Sequence, residues 1–165
     1  MNELLRHFQM MARYNRLANE LLFAKCAELN DAEYRRQRDG SFGSIHALLN
    51  HILLGDRIWM SRFEGGGQTT PRLSAILYDD FAELRGAREK EDARIEAFFR
   101  IAEPASLDRQ LSYTNSQGKH YVDYLPISIG HLFNHQTHHR GQVHVMLAQT
   151  SVQPPSLDLH RAINP

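Results

Sequence analysis

The sequence predicts an all-α fold, a four-helix bundle, with a short hairpin or an irregular excursion before the last helix. Three observations carry this prediction. Four long stretches repeat apolar residues at helical spacing. The breaks between them hold glycine, proline or capping residues. Residues 109–124 alone show an alternation suited to strands.

The first helix covers about residues 2–29, with Leu4, Phe8, Met11, Ala18 and Leu22 on one stripe and Leu5, Leu17 and Leu21 beside it. Asn15 falls on the same stripe, where an apolar residue would be expected. It is either a hydrogen-bonded core amide or an amide facing a polar pocket. Asp39-Gly40-Ser41 marks a loop, and Ser41 or Ser44 is a candidate N-cap for a second helix over about 42–63. Gly65-Gly66-Gly67 stops that helix, and a loop through Thr70-Pro71 follows. The third helix spans about 79–101, with Phe81, Leu84, Ile95, Phe98 and Phe99 on one side. Its charged middle, Arg85 to Arg94, reads as a solvated face. Leu111 and Tyr113 then alternate with polar neighbours around Asn115-Ser116-Gln117-Gly118. Pro126 suits the first turn of a last helix over about 126–149, and Pro154-Pro155 lies beyond its end. The expected organisation is one helical domain over 1–151 and a C-terminal tail over 152–165.

Lysine plus arginine equals aspartate plus glutamate at 19 each, so no bulk charge draws the chain to phosphate backbones and nucleic-acid binding is disfavoured. The single cysteine, Cys26, sits in an apolar helical stretch and reads as a buried small hydrophobe. One cysteine allows no internal disulfide, which fits a reducing cytoplasm. The N-terminal residues lack a basic region followed by an apolar run, so no signal peptide is expected. No stretch approaches the ~18 apolar residues of a membrane helix.

Histidine is the anomaly. The chain holds ten, and four of them are His131, His135, His138 and His139. On a wheel of about 100° per residue, Ser128, His131, His135, His138, His139 and Gln142 share one arc of about 100°. A purely structural helix would carry apolar residues on its inner stripe, whereas much of this arc is imidazole. His135 and His139, one turn apart, can aim two nitrogens at one ion. His51 is the leading candidate for a third ligand: Ala47, Leu48, Leu54 and Ile58 lie within about 60° of it, so it sits on an apolar face. The bland alternative is a hydrogen-bonded core histidine. His46 and Asp56 each lie about 140° from His51, and Arg140 about 140° from His135, so all three should face elsewhere. A surface or subunit-interface role is expected for Arg140. Glu20, Asp79 and Asp80 cannot be placed, and no general base is evident.

The stretches Asn50-His51-Ile52-Leu53-Leu54-Gly55-Asp56-Arg57-Ile58-Trp59 and His131-Leu132-Phe133-Asn134-His135-Gln136-Thr137-His138-His139-Arg140-Gly141-Gln142 resemble the paired signatures of the DinB family. Ala12-Arg13-Tyr14-Asn15-Arg16-Leu17-Ala18-Asn19 is similar to its N-terminal pattern, and the likeness runs from about residue 5 to 150. The resemblance implies a DinB/YfiT-like four-helix bundle, homodimers and a three-histidine metal site, whose matching positions are His51, His135 and His139. It also implies an activity class, since characterised relatives include enzymes that use low-molecular-weight thiols for transfer or isomerisation. His131 and His138, with Gln142 and Asn15, are left as residues around the ligands or at the rim of the pocket.

Three neutral imidazoles would leave a divalent ion, zinc or nickel, with an open position, which is the catalytic pattern. Such an ion can lower the pKa of a water or thiol, or polarise a carbonyl. The expected function is a metal-dependent enzyme, a thiol-dependent transferase or a hydrolase, acting on a small molecule. The alternative is a non-catalytic stress-response protein that uses the ion for stability or sensing.

Overall fold

The computed structural model describes residues 3–66 and 72–164. The loop expected through Thr70-Pro71, and Gly67, lie outside the described residues. The elements run α1 (Glu3–Cys26), α2 (Asp31–Arg35), α3 (Ile45–Phe63), α4 (Phe81–Ile101), α5 (Pro104–Leu107), β1 (Gln110–Thr114), β2 (His120–Tyr124), α6 (Leu125–Leu147) and α7 (Leu159–Ile163). The protein is mostly helical, with one two-stranded sheet. The four long helices are those the apolar spacing predicts. The three short ones are missed, because four or five residues carry too little periodicity to read.

Local chemistry sets the ends of the long helices. Ser44 rather than Ser41 caps α3, its side chain accepting from the Ala47 N–H at 3.1 Å. Asp80 caps α4 through the Glu83 N–H at 2.8 Å. Gly65, at φ 78°, follows the α3 C-cap in a conformation that a Cβ would strain. Residues 109–124 resolve into the hairpin: β1 and β2 pair antiparallel, with Leu111 opposite Asp123 and Tyr113 opposite Tyr121. Leu111 and Tyr113 turn inward. No helix among the described residues is long and apolar enough to cross a membrane.

Helix α1 packs on α4 and α6, and α3 packs on the same two helices. The core is divided. One apolar cluster is built around Leu22, Ile45, Leu49, Leu84 and Met146. The other is built around Phe8, Met60, Ile95, Phe99, Leu125 and Phe133. In each long helix, buried polar residues fall between the positions that feed the two clusters. These are Asn15 and Asn19 on α1, Asp56 on α3, Arg88 and Asp92 on α4, and Gln136 and Arg140 on α6.

This layer corrects two sequence expectations. The middle of α4 is not wholly a solvated face, because Arg88, Glu91 and Asp92 are buried. Arg88 is neutralised by Asp56 at 2.6 Å and by Asp92 at 2.9 Å. Nor is Arg140 a surface residue. Its guanidinium is buried and donates to Asn15, Asn19 and Gln136, and lies over the Tyr14 ring. Both side chains look solvent-exposed in a sequence because charge is normally solvated, and only partners from other helices make their burial tolerable.

The segment after α6 lies against the first helix. Helix α7 packs on α1, and the Tyr14 hydroxyl donates to the Leu157 carbonyl at 2.7 Å.

Candidate metal centre

The site lies on the seam between α3 and α6. His51 and Gly55 stand one turn apart on α3, and His135 and His139 one turn apart on α6. Gly55 allows the close approach. A Cβ there would stand 2.7 Å from His135 Cε1, so only glycine leaves room for the ring in this position. Gly55→Ala should therefore displace the His135 ring and weaken metal binding, while the melting temperature of the metal-free protein changes little. Metal titration beside a thermal melt of the apo form checks this.

The three rings converge. His51 Nε2 and His135 Nε2 are 3.1 Å apart, and one ligand nitrogen from each of His51, His135 and His139 falls within 4.8 Å of the others. Among the described residues, no other group of three or more candidate ligands forms.

Hydrogen bonds prepare two of the rings. His51 Nδ1 faces the Leu73 carbonyl at 2.9 Å, so Nδ1 carries the proton and Nε2 a bare lone pair. His139 Nδ1 faces Gln142 Oε1 at 2.7 Å, which likewise leaves its Nε2 bare. His135 Nδ1 is buried with no hydrogen-bond partner. A proton on Nδ1 aims the His135 Nε2 lone pair at that of His51, and a proton on Nε2 leaves Nδ1 an orphaned acceptor. A cation at the Nε2 atoms resolves the first arrangement, so the donor set fits a divalent ion that takes neutral imidazole.

Electrostatics favour the neutral rings. Burial lowers the pKa of all three. For His135, burial and then repulsion from the neighbouring histidines push it down to about 3. A histidine whose folded pKa lies below its unfolded value of about 6.5 takes up its proton on unfolding. Its contribution to stability is therefore complete above about 6.5 and is lost as pH falls towards the folded value. The metal-free protein should lose melting temperature between pH 7 and pH 4, and His135→Ala should shallow that slope. Calorimetry across the range measures both.

A strained loop covers one side. Phe42 has φ 66°, which a bulky residue rarely adopts. Its ring stacks on His51 at 3.8 Å and meets His139 edge-on at 5.8 Å. Neither Phe42 nor Gly55 is predicted from the sequence. Gly55 had a readable signal, lying about 40° from His51 on the α3 wheel. Phe42 had none beyond the glycines on either side of its loop.

The histidine arc is not the inner stripe of α6. The core-facing stripe is Leu125, Ile129, Leu132, Phe133, Gln136, Arg140, Val143 and Leu147. The histidines lie on its flank, where His131 and His138 are exposed. The His131 ring rests against Trp59 at 5.1 Å and lies 5.9 Å from the His135 ring. His138 Nε2 meets the Gln142 amide at 3.2 Å, so Gln142 links His138 to His139. Asn15 is the core amide of the two readings, bonded to Asp92 and Arg140 rather than to any histidine. Asp56 lies in the same buried layer, and His46 contacts Tyr34 instead. Glu20 pairs with Arg16, Asp79 with Arg35, and Asp80 caps α4, so none of the three supplies a base here. Cys26 is buried in the core, and its thiol is pushed up to about 12 by desolvation.

The chain is similar to known proteins along most of its length. The chain is 28% identical to Protein DinB of Bacillus subtilis (strain 168) over 144 residues, which cover 82% of this chain and 81% of that protein. A sequence model of the DinB family matches residues 1–165. The chain belongs to the DinB family.

Proposed function

We propose that this protein is a metal-dependent enzyme acting on a small molecule, a thiol-dependent transferase or a hydrolase, built as a DinB-type four-helix bundle. It would hold a divalent ion, zinc or nickel, on His51, His135 and His139, and work as a cytoplasmic homodimer. The observation that carries this reading is the convergence of three imidazoles with no fourth ligand in their group among the described residues. Three protein ligands with a position left open is the catalytic arrangement, whereas structural sites close with four.

When bound, the ion would supply a Lewis acid able to lower the pKa of a thiol or water. The chain's own residues prepare the site. The Leu73 carbonyl and Gln142 hold the protons of His51 and His139 on Nδ1, so both rings present Nε2. Phe42 shields His51 from water on one face. His131 stands beside His135 at the rim as a proton acceptor, its pKa lowered by the partial desolvation of its ring and by Arg62.

Cobalt substitution tests the reading. Purified apoprotein loaded with Co²⁺ and titrated with 2-mercaptoethanol should develop a sulfur-to-metal charge-transfer band, and His139→Ala should not. A spectrum indifferent to the thiol, together with a large fall in melting temperature on chelation, would instead support the ion as a structural or sensing element.

A further inference from the structure

Helix α3 carries a row of site-facing residues beyond His51. His51, Gly55, Trp59 and Arg62 lie within about 80° of one another on the wheel. Helix α6 runs alongside, with His135 against Gly55 and His131 against Trp59. The row ends at Arg62, whose guanidinium is clamped between two aromatic rings, 4.6 Å from Trp59 and 4.5 Å from Tyr113. One of its N–H groups donates to the Thr114 carbonyl at 3.1 Å.

Arg62 differs from the arginines around it. Arg94 pairs with Glu64 and Glu91, Arg57 with Glu91, and Arg88 with Asp56 and Asp92. Among the described residues, no carboxylate stands against Arg62. A half-buried guanidinium with most of its donors unspent among the described residues is a poor way to build a core and a good way to receive an anion. The aromatic clamp fixes the plane of the fork, which favours bidentate recognition of a carboxylate or phosphate.

We propose that Arg62 anchors an anionic group, carboxylate or phosphate, at the far end of a substrate whose reactive end lies at the histidine triad. Seven residues of helix separate Gly55, which faces His135, from Arg62, so the span is about 10 Å at about 1.5 Å per residue. Trp59 and His131, whose rings meet edge to face at 5.1 Å, stand between them and are the side chains that an apolar middle section of the substrate would meet. This assignment rests on the metal-enzyme reading and adds the charge and length of the molecule that the site accepts.

Trp59 is the sole tryptophan, so its fluorescence reports the seam directly. The test titrates α,ω-dicarboxylates from succinate to sebacate, octanoate and neutral 1,8-octanediol into zinc-loaded and metal-free protein. In the zinc-loaded form, the dicarboxylates whose ends lie about 10 Å apart should bind most tightly. Arg62→Gln should weaken these about tenfold to a hundredfold, flatten the length dependence and leave octanediol unchanged. Arg62→Lys, which keeps the charge but not the planar fork, should blunt the length dependence and serves if the Gln variant does not fold. A length dependence that survives either variant overturns the anchor. So does an equal loss for octanediol, which would mark Arg62 as a clip for the hairpin. If the zinc-loaded protein binds dicarboxylates without regard to Arg62, the metal site stands and the anchor fails. If octanoate binds through Arg62 while His51, His135 and His139 take up no zinc, the anchor stands and the metal reading fails.

Discussion

His51→Ala, His135→Ala and His139→Ala are each expected to lower bound metal by roughly a hundredfold or more in affinity, taking the ~10–100-fold cost of losing a partner behind the ligands as a floor. The fold should survive all three. The rings lie on the flank of α6 and the facing side of α3, outside the two apolar clusters that hold the helices together. His135→Ala also removes a buried Nδ1 that has no partner, so the metal-free protein should not lose stability through that hydrogen bond. Elemental analysis of the purified variants, with competition against a chromogenic chelator, gives the occupancies. Wild-type metal content in all three variants would falsify the triad as a metal centre. A normal content in His139→Ala alone would move the third ligand to His138, whose ring lies against His139, or to His131, whose ring lies against His135.

Arg88→Met should destabilise the protein by about 3–5 kcal/mol, the cost of leaving buried charges unpaired. Arg88 is the cation shared by Asp56 and Asp92, and all three are nearly inaccessible to solvent. Burial already pushes the pKa of both carboxyls up, and the arginine is the chief influence holding them down. Without it, each must protonate or stay charged in the core. The contrast within the same helix is Arg85, whose pair with Glu89 is exposed, so Arg85→Ala should cost less than about 1 kcal/mol. Urea denaturation of both variants at pH 7 separates the cases. A similar small loss in each would mean that the polar layer is hydrated and contributes little through its ion pairs.

The layer is also tied to the site by the chain itself. Gln136 donates to Asp56 and follows His135, while Arg140 follows His139. Adjacent residues on α6 therefore divide the work. His135 and His139 face the seam with α3, and Gln136 and Arg140 are buried between the helices. This division explains both corrections on α6, the buried Arg140 and the place of the histidine arc. A wheel drawn from its histidines finds a polar arc, but it does not say whether that arc meets the core or its flank. The apolar residues of the helix already pointed to the core stripe, which Gln136 and Arg140 interrupt.

The sequence by itself determined the four long helices, because apolar residues at a period of 3.6 commit a segment to a helix with one buried face. It also pointed to the family and to His135 and His139 as a pair, since i and i+4 spacing sets a shared direction within one helix, while His51 stood only as a candidate on an apolar face and as a position the resemblance implied. The tertiary structure decided everything that depends on two helices meeting. It decided that Gly55 leaves space for the His135 ring, that a strained Phe42 stacks on His51, and that Arg88 and Arg140 are buried with partners. Periodicity fixes a direction within a helix, but burial, hydrogen-bond partners and pKa depend on what the neighbouring helix places opposite. The histidine pair was legible because both rings lie on α6. The full site was not, because His51 reaches it only when α3 and α6 pack in this register.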